Sequence, residues 1–272
     1  MTDRISIEFI NAFALDPVEF VKLAAGLGVG NIGMAASPIT DNPHSFAPWD
    51  LRSDAALLRA TKAALADHGV RVQVGEGFLI LPGMDIRASQ PTLDVLAELG
   101  SPRANVITME QDRARARDEL ATLAAMAGER GMAMTVEFMP LMWPQTLAET
   151  AALVAETGAA NASVLVDAMH FFRSGAQVAD IAAVDPAAIG YIQVCDVPMP
   201  PKTDDYGEEA RHERMCPGDG DLPLADFLRA LPRDRIVGIE VPQISLARAG
   251  VSPVDAIRPV VDATRRLLAE VG

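Results

Sequence analysis

The sequence predicts an α/β fold, a single (β/α)8 barrel spanning residues 1–272. Three observations carry this. Strand-like and helix-like segments alternate about eight times with no break in composition. Four apolar strand-like runs end in a polar side chain, at Glu137, Asp167, Gln193 and Glu240. Glu137 to Asp167 and Asp167 to Gln193 are each close to one βα unit of roughly 30 residues. The wider gap to Glu240 is filled by an insertion over 196–221. A doubly wound sheet usually needs fewer units. It would also carry a Gly-rich phosphate turn after the first strand, where Asn11-Ala-Phe-Ala14 stands instead.

The elements follow in order. Residues 5–9 read as the first strand. Asp16-Pro17 starts a helix over 18–27, with the acid at the cap and proline at the first helical position. Asn31–Ala35 is a short strand, followed by a proline-rich loop over 37–50. A helix over 53–68 shows Leu57, Leu58, Thr61 and Leu65 near helical spacing. Residues 70–78 alternate as a third strand, 87–99 form a helix ending at Gly100, and 105–109 form a fourth strand. The clearest helix is 113–130, with Leu120, Leu123, Ala124 and Ala127 on one stripe and Gly131 to stop it. The strand ending at Glu137 comes next. Helices over 146–157, 177–184 and 222–231 alternate with strands over 162–167, 189–195 and 236–241. Ser252-Pro253 starts the last helix, which Pro259 is expected to kink or split.

Bulk numbers narrow the function. The net charge is −14, which opposes nucleic-acid binding. No apolar run approaches the roughly 18 residues of a membrane span, and Met-Thr-Asp-Arg does not resemble a signal peptide. Two cysteines, Cys195 and Cys216, make no disulfide framework, so a cytoplasmic, reducing setting is expected.

If the four polar strand ends lie on neighbouring parallel strands, they converge at the C-terminal mouth of a barrel, where chemistry sits. Three carboxylates and an amide suit a hard divalent metal ion such as Mn, Mg, Co or Zn. Crowded acids would repel one another unless a cation or proton offset them. Any one alone would read as an ordinary polar strand end. His170, three residues after Asp167, is placed to touch a bound substrate, or else is an exposed loop histidine. Arg214, in Arg211-His-Glu-Arg-Met-Cys-Pro217-Gly-Asp-Gly220, and Arg173 are candidate cations for a substrate oxygen. The bland reading of Arg211 is a solvated loop charge. Trp143 is a pocket wall or a core-edge aromatic. His44 and His68 suggest no role. Glu137 and Glu240, on opposite sides of one metal, could exchange a carbon-bound proton of an α-hydroxy ketone. Its return to the same carbon is epimerisation, and its return to the neighbouring carbon is isomerisation. Loss of a β-hydroxyl is dehydration. The first step is common to all three.

At this point the chain resembles the xylose isomerase-like TIM-barrel superfamily, in its sugar phosphate isomerase/epimerase branch. The likeness rests on Thr135-Val-Glu137-Phe-Met-Pro140, Val166-Asp167-Ala-Met-His170-Phe-Phe-Arg173-Ser-Gly175 and Ile189-Gly-Tyr-Ile-Gln193-Val-Cys-Asp196. It rests further on Arg214-Met-Cys-Pro217-Gly-Asp-Gly220 and Ile239-Glu240-Val-Pro242. It implies that Glu137, Asp167, Gln193 and Glu240 hold the metal and that Glu137 and Glu240 are the acid/base pair. It also implies that His170 touches the substrate, a small keto-sugar or hydroxy-ketone. Ketose 3-epimerases of the group carry histidine where Gln193 stands, and hydroxypyruvate isomerase-like members are similar to this chain in having glutamine. Homo-oligomerisation is an expectation of the resemblance alone. A lyase acting on an inosose or dehydroshikimate stays open, as does a non-catalytic binding barrel. The abasic-site endonucleases of the superfamily need many histidines, and this chain has four.

Overall fold

The computed structural model describes residues 4–272. Eight parallel strands close into one barrel in sequence order. They are β1 Ile5–Ile7, β2 Asn31–Ala35, β3 Arg71–Ile80, β4 Arg103–Thr108, β5 Ala133–Glu137, β6 Ala162–Asp167, β7 Ile189–Val194 and β8 Val237–Ile239. Pairing of β1 with β8, Ile7 against Ile239, closes the ring. The principal helices are α1 Pro17–Gly26, α2 Ala55–His68, α3 Gln90–Glu98, α4 Arg113–Gly128, α5 Leu147–Glu156, α6 Ala168–Arg173, α7 Tyr206–His212, α8 Leu224–Ala230, α9 Ile244–Arg248 and α10 Pro253–Val271. Among the described residues no helix is long and apolar enough to cross a membrane.

Local chemistry sets the helix starts. Asp16, Asp54, Asp112, Thr146 and Ser252 each accept a backbone N–H of the first turn, satisfying donors that the helix itself cannot. The main apolar core fills the layer between barrel and helices; Ile5, Ile7, Val164, Val166 and Ile192 belong to it. The lumen differs. Leu165 and Tyr191, whose strand neighbours face that outer core, join Val74 in a separate small cluster. Much of the remaining lumen is polar: Ser6, Glu8, Asn105, Thr135 and Glu137 are all buried. A barrel interior is normally filled by layers of branched apolar side chains, so this polar column is a departure to be accounted for.

The structure departs from the sequence expectation in several places. Residues after Asp167 form the short helix α6, because the Asp167 carboxylate caps it by accepting the His170 N–H at 2.9 Å. The expected helix over 177–184 is a 3-10 turn, Val178–Ala183. The helix expected over 87–99 begins as a separate 3-10 turn, Ile86–Ser89, and α3 starts anew with Pro91 in its first turn. Pro259 does not split α10 into two elements. It lies near the N-terminal end, and only one intrahelical bond is lost there. The insertion over 196–221 carries the unforeseen helix α7.

Candidate active site

Glu137 ends β5 and Asp167 ends β6, Gln193 lies one residue before the end of β7, and Glu240 follows β8 directly. The register places Asp167 beside Gln193, and Glu240 N–H donates to the Val194 carbonyl at 3.0 Å. The four side chains therefore stand on four consecutive strands at one end of the barrel. All are buried.

Each is held differently. Glu137 Oε2 accepts from Asn105 Nδ2 at 2.6 Å, and Thr135 Oγ1 donates to Asn105 Oδ1 at 2.9 Å. Glu137 Oε1 lies 3.3 Å from His170 Nε2. On its other nitrogen, His170 Nδ1 meets the Tyr206 hydroxyl of α7. The tautomer satisfying both contacts has Nε2–H donating to Glu137 and Nδ1 accepting from Tyr206. Arg214 donates to Asp167 Oδ2 at 2.9 Å and to Glu240 Oε1 at 3.3 Å, while its Nε donates to the Ala210 carbonyl at 2.8 Å. Burial pushes the Glu240 carboxyl well above the usual range; Arg214 opposes this, and Glu137, Asp167 and Glu8 add to it.

Two buried oxygens here have no hydrogen-bond partner, Gln193 Oε1 and Glu240 Oε2. A buried acceptor left alone costs about 1–3 kcal/mol. The donor set is all oxygen, so its chemistry fits a hard divalent cation, and each of these two oxygens has lone pairs open to one. Arg214 shares the ground. Asp167 and Glu240 are drawn onto its guanidinium, and among the described residues no three His, Cys, Asp or Glu side chains converge at metal-ligand spacing. A bound cation would take over part of the charge that Arg214 now balances.

The insertion delivers Arg214. Asp196 accepts from Gly218 N–H at 2.9 Å and Leu222 N–H at 3.0 Å, folding the Pro217-Gly-Asp-Gly220 turn back on β7. A Cβ at Gly220 would lie 2.3 Å from Asp196 Oδ1 and 2.7 Å from the Val197 carbonyl, so only glycine fits. Arg173, the second candidate cation, has its guanidinium on Glu209 at 2.7 Å, the Pro198 carbonyl at 2.9 Å and the Met199 sulfur, and so ties α6 to α7. His212 links α7 to the loop after β2, with Nε2 3.4 Å from Asp41. Trp143 packs at the core edge under Arg113, 4.6 Å from its ring centre.

Sequence reasoning missed Asn105, Tyr206, Glu8 and Glu76. Glu8 follows β1 and Glu76 lies in β3, both wholly or almost wholly buried. Alternation along 5–8, with Ile5 and Ile7 in the outer core, would have turned Ser6 and Glu8 inward.

A family model described as "Xylose isomerase-like TIM barrel" matches residues 21–267, and the chain belongs to that family. It is similar to a Streptomyces coelicolor protein named as a candidate hydroxypyruvate isomerase, 28% identical over 220 residues, covering 67% of this chain and 73% of that protein. Among solved structures it resembles the IolI protein with a bound zinc atom, with a TM-score of 0.82 and 15% identity over 98% of this chain and 99% of that one. It also resembles a D-psicose 3-epimerase crystallised with D-fructose, with a TM-score of 0.70 and 17% identity over 98% and 99% of the two chains. At those identities the structural likeness shows the fold.

Proposed function

We propose that this chain is a divalent-cation-assisted isomerase or epimerase of a small keto-sugar or hydroxy-ketone. One observation carries the reading: two carboxylates on separate strands, Glu137 and Glu240, flank a buried all-oxygen cluster in which two acceptors lack partners. The relatives named above support the same class. Glu137, Asp167, Gln193 and Glu240 would hold the cation. When bound, it would polarise the carbonyl of an α-hydroxy ketone and make the neighbouring carbon-bound hydrogen acidic.

The chain's own residues do the rest. Glu137 is oriented by Asn105 and His170 and serves as the base that takes the proton from carbon. Glu240, whose carboxyl burial pushes up, holds the proton that is returned from the other side. Return to the same carbon epimerises, and return to its neighbour isomerises. Arg214 and His170 orient substrate oxygens once the cation shares the charge of Asp167 and Glu240. Helix α7 docks against this end of the barrel through Tyr206 on His170 and Glu209 on Arg173.

The test is the metal content of protein purified without chelator, for wild type and for Glu137→Ala and Asp167→Ala. Near-stoichiometric metal that disappears in both variants supports the shared site. No metal in the wild type, with no thermal stabilisation by Mn²⁺ or Mg²⁺, would remove the basis of the reading.

A further inference from the structure

The four strand ends treated so far occupy β5 to β8. The opposite wall of the lumen carries a second pair of acids. Glu8 directly follows β1, its N–H donating to the Ile239 carbonyl at 3.1 Å, which sets it beside Glu240. Glu76 stands on β3, and in a closed ring of eight strands β3 faces β7 and Gln193 across the lumen.

The pair is built into the barrel. Glu8 Oε1 accepts from the Tyr191 hydroxyl at 2.6 Å, and Glu76 Oε1 accepts from the Phe9 N–H at 3.2 Å. The remaining Glu8 oxygen, Oε2, and Glu76 Oε1 press into the same space above Gly33. A Cβ there would lie 2.0 Å from the first and 2.1 Å from the second. A Cβ at Gly238 would lie 2.1 Å from Glu8 Oε1. Two glycines thus make room for two carboxyl groups. Glu8 Oε2 is buried with no donor to it, unless a proton lies between the two carboxyls. Facing carboxylates in a closed lumen cannot both be ionised, so at least one proton lies on the pair. Burial, and then each carboxyl acting on the other, pushes Glu76 up in the same sense.

The two members are not equivalent. Glu8 is 0% exposed, while Glu76 keeps 9%. Glu76 is therefore the member that meets whatever lies between the two walls. A carboxyl sharing a proton both donates to and accepts from a hydroxyl group. Toward a carboxylate or phosphate it is a poor partner, because an anion there meets crowded carboxyl oxygens, which are acceptors like its own. Among the described residues no Lys or Arg side chain is hydrogen-bonded to either acid; their donors are the Phe9 N–H and the Tyr191 hydroxyl.

We propose that Glu76, backed by Glu8, forms the hydroxyl-recognising wall of the substrate site and confines the substrate to uncharged polyhydroxy ketones at that end. This rests on the isomerase reading and narrows it: a ketose or triose ketone is accepted, and its carboxylate or phosphate counterpart is refused.

The test uses the full chain loaded with Mn²⁺ and two matched pairs of probes: 1,3-dihydroxyacetone against hydroxypyruvate, and D-xylulose against D-xylulose 5-phosphate. Affinities are measured by calorimetry for wild type, Glu76→Gln and Glu8→Gln. The wild type should bind each neutral probe at least tenfold tighter than its anionic partner. Glu76→Gln should narrow that ratio by about tenfold, the scale of one hydrogen bond of about 1.4 kcal/mol, and in turnover the loss should fall on KM more than on kcat. Tighter binding of the anions by wild type, failure of both neutral probes to bind, or an unmoved ratio in Glu76→Gln would overturn the proposal. The wild-type ratio needs no variant to fold. Neutral preference without deuterium exchange from solvent into any bound ketone would keep the wall and defeat the isomerase reading, so the two failures are distinguishable.

Discussion

Replacing Arg214 by Met probes how the acid cluster is balanced. Its guanidinium is 2% exposed and holds Asp167, itself 0% exposed, together with Glu240. Methionine keeps the unbranched apolar stem and removes the charge. Two buried carboxyls then lose their counter-ion, and breaking a buried pair from one side costs about 3–5 kcal/mol. At about 2.1 cal/mol/K per residue, 272 residues give an unfolding entropy of roughly 0.6 kcal/mol/K, so the melting midpoint should fall by about 5–9 °C. The assay is thermal unfolding of chelated protein followed by titration with Mn²⁺. The variant should start lower and gain more from the metal than wild type, because the cation supplies charge that Arg214 no longer does. An unchanged midpoint in chelator, or a smaller metal-induced gain in the variant, would refute the account of Arg214 as the charge that now balances this site.

Other expectations follow from the same geometry. Asn105→Ala strips Glu137 Oε2 of its donor and should lower turnover by about 10–100-fold with the metal still bound, checked by steady-state kinetics and metal analysis. Gly33→Ala drives a methyl group into both Glu8 and Glu76 and should cost about 3 kcal/mol or more by chemical denaturation. Burial, then the facing Glu8, raises the Glu76 carboxyl in the folded state above its ordinary value of 4.5, so the folded chain holds a proton that the unfolded chain releases. The stability this gives is complete below pH 4.5 and is lost as pH rises through the raised folded-state value. Glu76→Gln should therefore lose less stability than wild type as pH rises above 4.5, measured as melting midpoint against pH.

What the sequence shows plainly is whatever is local. At β5, β6 and β8 an acid closes an apolar run, so Glu137, Asp167 and Glu240 stand out, and the spacing of the strands brings them to one mouth. Glu8 is followed by Phe9 and Ile10, and Glu76 sits between Gly75 and Gly77, so neither closes a run and neither stands out. Their meeting depends on missing Cβ atoms at Gly33 and Gly238, far from both in sequence. The role of Arg173 was equally hidden. Its partner Glu209 lies 36 residues away in an insertion whose alternating charges resemble a solvated loop, and only the docking of α7 shows that the pair is internal.

The most direct test of the central claim is proton exchange at carbon. Mn²⁺-loaded protein is incubated with neutral ketoses in deuterium oxide, and label at the carbon next to the carbonyl is read by NMR for wild type, Glu137→Gln and Glu240→Gln. The account expects label to enter the substrate with wild type, and expects exchange to fall by orders of magnitude in each variant while the fold and melting transition are retained. Absence of label from every ketose tested, or wild-type exchange in either glutamine variant, would contradict it.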